Sequence, residues 1–140
     1  MSFEKQAELY QMYLEMQPVP VIYVASGNLT SIQIFAQMVE PIPVVDKFSL
    51  LPPEEIAILK TMTWDQQGQV DYIVLTRASL FLGMADSLFS QNVASSRRAA
   101  SKNGTCGVSL ADGNNIYNDG LTIVVGKSRA ANQDPRYFWP

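Results

Sequence analysis

The run Val21-Ile22-Tyr23-Val24-Ala25, closed by Ser26-Gly27-Asn28 and followed by residues at helical spacing, restricts the fold more than any other stretch of the chain. Its apolar and β-branched residues do not alternate with polar ones, so the strand they form has no water-facing side. Strands of that kind belong to parallel sheets covered by helices on both faces. A small-residue turn into a helix is how such a strand continues.

The neighbouring segments repeat the alternation. Phe3 to Met16 places Phe3, Ala7, Tyr10 and Leu14 near helical spacing and ends ahead of Pro18. Leu29 to Glu40 is a helix through Ile32, Phe35, Ala36 and Val39 that stops before Pro41, and Ile42 to Val45 is a second strand. Pro52-Pro53-Glu54-Glu55 opens a helix running to about Met62, since its first turn needs no amide donors and its dipole favours carboxylates there. Beyond Trp64-Asp65-Gln66-Gln67-Gly68 a further helix carries Val70, Ile73, Val74 and Arg77, and Ser79 to Gly83 is a short strand. Gln91 to Arg98 is a helix capped at its start by Ser87 with cations at its end.

This order predicts an α/β fold: a Rossmann-like three-layer domain with a mainly parallel sheet. The strands near residues 20–25, 42–46 and 79–83 should lie side by side. Past Ala100 the sequence shifts to Gly, Asn, Asp and Ser, with Thr105 to Leu110 and Leu121 to Val125 as candidate strands around an Asn/Asp-rich turn. We therefore divide the chain into a Rossmann-like unit, 1–100, which the resemblance described below implies is a nucleotide-binding half-domain, and a peripheral hairpin with a loose C-terminal tail, 101–140.

Composition narrows the function. With 140 residues and 47% hydrophobic content there is enough for one ordinary core. Ten basic residues against 13 acidic give a net charge of -3, which argues against nucleic acid as a partner. No apolar run approaches the roughly 20 residues of a membrane span, and the charged N-terminus lacks a secretory apolar stretch. Cys106 is the one cysteine, so no internal disulfide forms, and there is no histidine. That removes Ser/His and Cys/His nucleophiles together with imidazole-bound metals; no catalytic residue and no metal ligand is assigned. Asp112 to Gly120 has the look of a calcium loop, but Tyr117 and Ile123 stand where an EF-hand needs Gly and Glu, so it is read as a turn.

A strand followed by a small-residue turn and a helix start presents backbone N–H groups to an anion. The chain does this twice, at Ala25-Ser26-Gly27-Asn28 and at Gly83-Met84-Ala85-Asp86-Ser87-Leu88-Phe89-Ser90. In one parallel sheet both turns would fall on the same edge and line one cleft. Each also has a plainer role, Ser87 as a helix cap and Asn28 as a turn residue. Neither turn matches the P-loop or the dinucleotide fingerprint. Arg77, Arg97 and Arg98 fit helix faces or helix C-termini.

The segment Val70 to Arg98, with Tyr72, Arg77, Phe81, Gly83 and the turn Ser87-Leu88-Phe89-Ser90, resembles the closing region of GDP-fucose O-fucosyltransferase-like proteins. There a helix and a short strand lead to a Ser-Ser/Thr-Phe-Ser/Thr turn and a helix ending in arginine. Pro20 to Asn28 is similar to that family's strand and loop of the type Ile-Tyr-Val-Ala-Thr-Asp/Gly. The likeness spans about residues 18 to 98 and implies the C-terminal half of a GT-B glycosyltransferase, the half that holds most of the GDP. The family activity is inverting transfer of a fucosyl unit from GDP-fucose to a hydroxyl.

Carried over, the resemblance implies that Ser87, Phe89 and Ser90 contact the pyrophosphate and that Gly27 and Asn28 lie near the nucleotide. Leu88 departs from the pattern by replacing a hydroxyl, and Ser26-Gly27-Asn28 stands where many members have an acidic residue. The family's His-x-Arg motif belongs to an N-terminal half that has no counterpart here. The expectation is a fragment or degenerate relative, inactive alone, with a GDP-sugar and a missing N-terminal domain as partners. No cofactor beyond the donor substrate is implied, and the family belongs to the secretory pathway. The alternative is a non-catalytic Rossmann-like module that binds a nucleotide or a protein.

Overall fold

The computed structural model describes residues 3–100, 115–118 and 121–126. The chain forms two compact units, divided between Leu75 and Thr76. Both mix helices with short strands, as an α/β chain should.

In the first unit, helix α1 (Phe3–Met16) has the predicted bounds and buries Ala7, Tyr13 and Leu14. Strand β1 (Ile22–Tyr23) leads to helix α2 (Leu29–Met38), and strand β2 (Val44–Val45) pairs with β1 in parallel, Ile22 opposite Val44 and Tyr23 opposite Val45. The parallel pairing expected of these two runs is present, although each strand is only two residues long. Tyr10 meets Phe35 edge to face at 6.3 Å and joins α1 to α2.

A four-residue helix absent from the sequence reading, α3 (Lys47–Leu50), follows β2 directly. It forms because Asp46 and Ser49 make a reciprocal capping box: the Asp46 carboxylate accepts from the N–H groups of Phe48 and Ser49, and Ser49 Oγ accepts from Asp46 N–H. Helix α4 (Pro53–Thr61) begins on proline with Glu54 and Glu55 in its first turn, as its sequence demands. Helix α5 (Trp64–Arg77) starts earlier than Val70 because Thr63 and Gln66 cap it: Thr63 N–H donates to Gln66 Oε1 at 2.9 Å, and Gln66 N–H to Thr63 Oγ1 at 3.4 Å. Gly68 lies inside that helix.

The second unit corrects two expectations. Strand β3 (Phe81–Met84) leads into helix α6 (Leu88–Ala100), as predicted, but β3 is hydrogen-bonded in a different sheet from β1 and β2. Its partners come from beyond residue 100: strands β4 (Asn115–Asn118) and β5 (Thr122–Val125) join it in a three-stranded sheet of order β3-β5-β4. β5 runs parallel to β3, Phe81 opposite Thr122 and Met84 opposite Val125, and antiparallel to β4. The Leu121 to Val125 run is therefore not peripheral. It is the middle strand, and all four residues of β5 are buried, Val125 completely.

Asn115 to Asn118, read as part of a turn, is strand instead, because a ladder with β5 overrides its turn-forming composition. Gly126, just after β5, takes φ 101°, a conformation that glycine alone adopts without strain. The expected strand at Thr105 to Leu110, the single cysteine and most of the C-terminal tail fall outside the described residues.

Candidate functional site

Each turn singled out in the sequence begins a helix through a side-chain cap. At the first, Asn28 has extended backbone and its Oδ1 accepts from Ser31 N–H at 3.1 Å, while Asn28 N–H donates to Ser26 Oγ at 3.1 Å. Ser26, Gly27 and Asn28 thus form a hydrogen-bonded entry to α2, whose first residue, Leu29, is exposed. Gly27 lies against the indole of Trp64: a methyl group built on its Cα would sit 3.7 Å from Cζ2, an ordinary contact.

At the second turn Ser87 Oγ accepts from Ser90 N–H at 3.2 Å and Ser87 carbonyl from Gln91 N–H at 3.0 Å, which makes Ser87 the N-cap of α6. The cap foreseen for Ser87 is present, and Asn28, read as a turn residue, is itself the N-cap of α2. Leu88 is the first helical residue and is 71% exposed, so it is not a core side chain. Phe89 is partly exposed beside it.

Two contacts fix where this helix start lies. The Gln91 side-chain amide donates to Ala85 carbonyl at 2.6 Å, and Ala85 N–H donates to Val125 carbonyl at 2.8 Å, so the turn is tied to both α6 and β5. Gly83 leaves no room for a side chain. A Cβ there would come within 2.7 Å of the Phe81 ring and 2.9 Å of Ser90 Cβ, so glycine is what lets β3 run this close to α6.

The arginines keep structural roles. Arg77 lies in the last turn of α5, and Arg97 and Arg98 in the last turn of α6. Arg97 does more than complement a dipole. Its Nε donates to Thr122 Oγ1 at 2.8 Å, and its terminal nitrogens donate to the carbonyls of Thr76, Ala78, Ser79 and Leu121. The guanidinium also lies over the Phe81 ring at 6.0 Å. One side chain thereby joins α6, the approach to β3 and the start of β5, using the planar fork of donors that lysine lacks.

The sequence reading missed the most polar interior feature of the first unit. Asp71, buried on α5, accepts from Tyr23 Oη at 2.7 Å and from Lys47 Nζ at 2.8 Å. Lys47 is also buried and its ammonium lies 5.4 Å from the Phe48 ring centre. Burial first, then the hydrogen bond to Asp71 and the charges of Asp71 and Asp46, push the Tyr23 phenol well above its ordinary range. Burial also raises Tyr10, to about 12, against the lowering effect of its bond from Gln6. The one signal available in sequence was an aspartate among Val70, Tyr72, Ile73 and Val74 on a helix that buries a face.

Among the described residues no cluster of three or more His, Cys, Asp or Glu side chains could hold a metal, and no helix is long and apolar enough to cross a membrane. No curated protein and no solved structure matches the chain. The sequence profile of GDP-fucose protein O-fucosyltransferases does, over residues 2–100, which takes in α1 to α6 and both capped turns. A match over that share of the chain places it: the protein belongs to the GDP-fucose protein O-fucosyltransferase family.

Proposed function

We propose that this chain binds the nucleotide of a GDP-sugar, GDP-fucose as the donor, with the start of α6 receiving the pyrophosphate. The observation that carries the proposal is the exposed Leu88 at the first position of a helix that begins directly after a parallel strand. There the first-turn N–H groups and the helix dipole favour an anion. Ser87, Phe89 and Ser90 are the contacts assigned to it. Gly83 supports the assignment, because the close approach it permits holds Ser90 at a defined distance from β3. Gly27 and Asn28, at the start of α2, are proposed separately as nucleotide-binding residues, on family membership alone.

Donor binding does not imply turnover. The sequence has no histidine for the family's basic motif, and Arg97 is engaged by main-chain carbonyls and Thr122. The chain expressed alone is expected to bind GDP-fucose without transferring its sugar.

Calorimetric titration with GDP, ADP and UDP tests the nucleotide proposal. Preference for GDP supports it; failure to bind any of the three overturns it in favour of a protein-binding module. Leu88→Ser sharpens the test. Restoring a hydroxyl beside the helix start should tighten GDP binding about tenfold, since a hydrogen bond to a charged acceptor contributes about 1.5–3 kcal/mol, and should leave guanosine binding unchanged. Because Leu88 is exposed, the variant should melt within about 0.5 kcal/mol of wild type, and affinity is then read without a stability change.

A further inference from the structure

We infer that Tyr23, Lys47 and Asp71 together set the register in which β1 and β2 pair, through an arrangement that forms in one alignment of the strands and not in its neighbours. The inference stands apart from the nucleotide proposal and concerns the first unit alone.

Little else in the two strands tells one alignment from the next. Register is ordinarily chosen by a pattern of apolar and polar residues, because a slip of one residue turns every side chain to the other face. Here Val21-Ile22-Tyr23-Val24 and Ile42-Pro43-Val44-Val45 are apolar on both faces, and both residues of each strand are half-buried. A slipped pair would cover much the same surface. The ladder is also short: beside the pairs Ile22–Val44 and Tyr23–Val45, Ile22 N–H donates to Pro43 carbonyl and Val24 N–H to Val45 carbonyl, both at 2.9 Å. Any alignment that does not call on the missing N–H of Pro43 offers bonds at the same spacing.

The side chains do tell them apart. Tyr23 is the one residue of β1 and β2 with a polar side chain. Its Oη donates to Asp71 Oδ1 at 2.7 Å while Lys47 Nζ donates to Asp71 Oδ2 at 2.8 Å, so the two oxygens of one carboxylate receive a group from each strand's side. Lys47 is tied closely to β2, since it follows Val45 by two residues in a helix whose start the Asp46–Ser49 box fixes. A slip of one residue carries Tyr23 about 3.3 Å along its strand, more than a hydrogen bond tolerates. Lys47 and Asp71 are buried, and among the described residues every buried side-chain nitrogen and oxygen has a partner. The slipped alignment would leave the buried carboxylate one donor short, a penalty that the apolar contacts do not offset.

A buried ion pair adds little stability over apolar residues of the same size, whereas breaking one by removing a single partner is strongly destabilising. Replacing all three members should therefore spare stability and lose alignment. The test uses the full chain with Tyr23→Phe, Lys47→Met and Asp71→Leu combined, with Tyr23→Phe alone, and with Asp71→Ala for comparison. Stability is read from denaturant midpoints, and alignment from amide resonances and cross-strand nuclear Overhauser contacts of residues 21–24 and 42–46.

Wild type should give one set of resonances, with contacts linking Ile22 to Val44 and Tyr23 to Val45. The triple variant should keep at least the wild-type midpoint and show further sets, with contacts displaced by one or two residues. Tyr23→Phe, which removes one hydrogen bond to a charged acceptor, should bring a displaced set into view, a rise of about tenfold or more. It decides the matter if the triple variant does not fold, and a single undisplaced set in it then overturns the inference. A folded triple variant with a single undisplaced set also overturns it. So does a triple variant whose midpoint falls as far as that of Asp71→Ala with its alignment unchanged, which would make the cluster a plain stabiliser.

Discussion

The two units of this chain hold their sheets together by opposite means. In the first the ladder is minimal, two strands of two residues, and a buried side-chain cluster spans the elements around it: Tyr23 from β1, Lys47 from α3 and Asp71 from α5. In the second the ladder is longer and its middle strand fully buried, and a single arginine ties its surroundings together through main-chain carbonyls. A short sheet supplies few main-chain hydrogen bonds, so side-chain chemistry has to fix its geometry. A buried strand supplies both ladder bonds and apolar burial, and there the polar side chain only secures the entrance and exit of the strands.

If that contrast is right, removing the hub of the first unit should be the most damaging single change. Asp71→Ala leaves the Lys47 ammonium buried without its counter-charge and the Tyr23 hydroxyl without its acceptor, at a cost of about 3–5 kcal/mol. Denaturant titration should show the loss as a lower midpoint. An effect under about 1 kcal/mol would mean that the cluster is ornamental and the short ladder suffices.

Arg97→Ala should cost less, about 2–4 kcal/mol, because the carbonyls it releases lie where water reaches part of them. Arg97→Lys should recover little of this, since one ammonium cannot span Thr122, Ala78 and Leu121. Full recovery by lysine, in the same titration, would show that charge rather than the fork matters. Gly83→Ala is expected to cost about 1–3 kcal/mol by pressing a methyl group into Phe81 and Ser90. It should also weaken GDP binding if the start of α6 is the pyrophosphate site.

The smallest effect is that of alkaline pH on two half-buried tyrosines. The raised phenols of Tyr10 and Tyr23 keep their protons in the folded chain after those of the unfolded chain begin to ionise near 10. Their contribution is thus complete below about pH 10 and is lost as pH climbs toward 12. Melting temperature followed from pH 8 to 12 should fall on that upper limb, and Tyr10→Phe should flatten it. Both tyrosines belong to the first unit, so an alkaline change that began in the second unit would contradict the comparison.

What the sequence made legible follows the range of the interaction concerned. α1 was readable to the residue because its pattern is local: apolar positions at helical spacing with a proline beyond. The cap at Ser87 was readable for the same reason, as were the turn at Asn28 and the carboxylates opening α4. α3 escaped because four residues are too few to show a period, and only the reciprocal bonds of Asp46 and Ser49 reveal it. Tyr23, Lys47 and Asp71 escaped because each sits unremarkably in its own segment, and their chemistry exists only once three elements meet. The partners of β3 were misplaced because hydrophobic runs say that a strand is buried without saying which strand buries it. For the candidate site, both turns were visible in sequence, because a small-residue turn into a helix is a local pattern.

The placement of β5 has a consequence for how the protein is made. The family match ends at residue 100, yet the strand that fills the middle of the second sheet comes from residues 122–125. During synthesis β3 and α6 leave the ribosome before their central partner exists. The Phe81 and Val93 side chains, buried in the finished unit, must wait in a nascent chain with an open strand edge, a state that invites pairing with the wrong neighbour. A gene fragment trimmed at the boundary of family similarity would never leave that state, and its insolubility would reflect where it was cut and not what it binds.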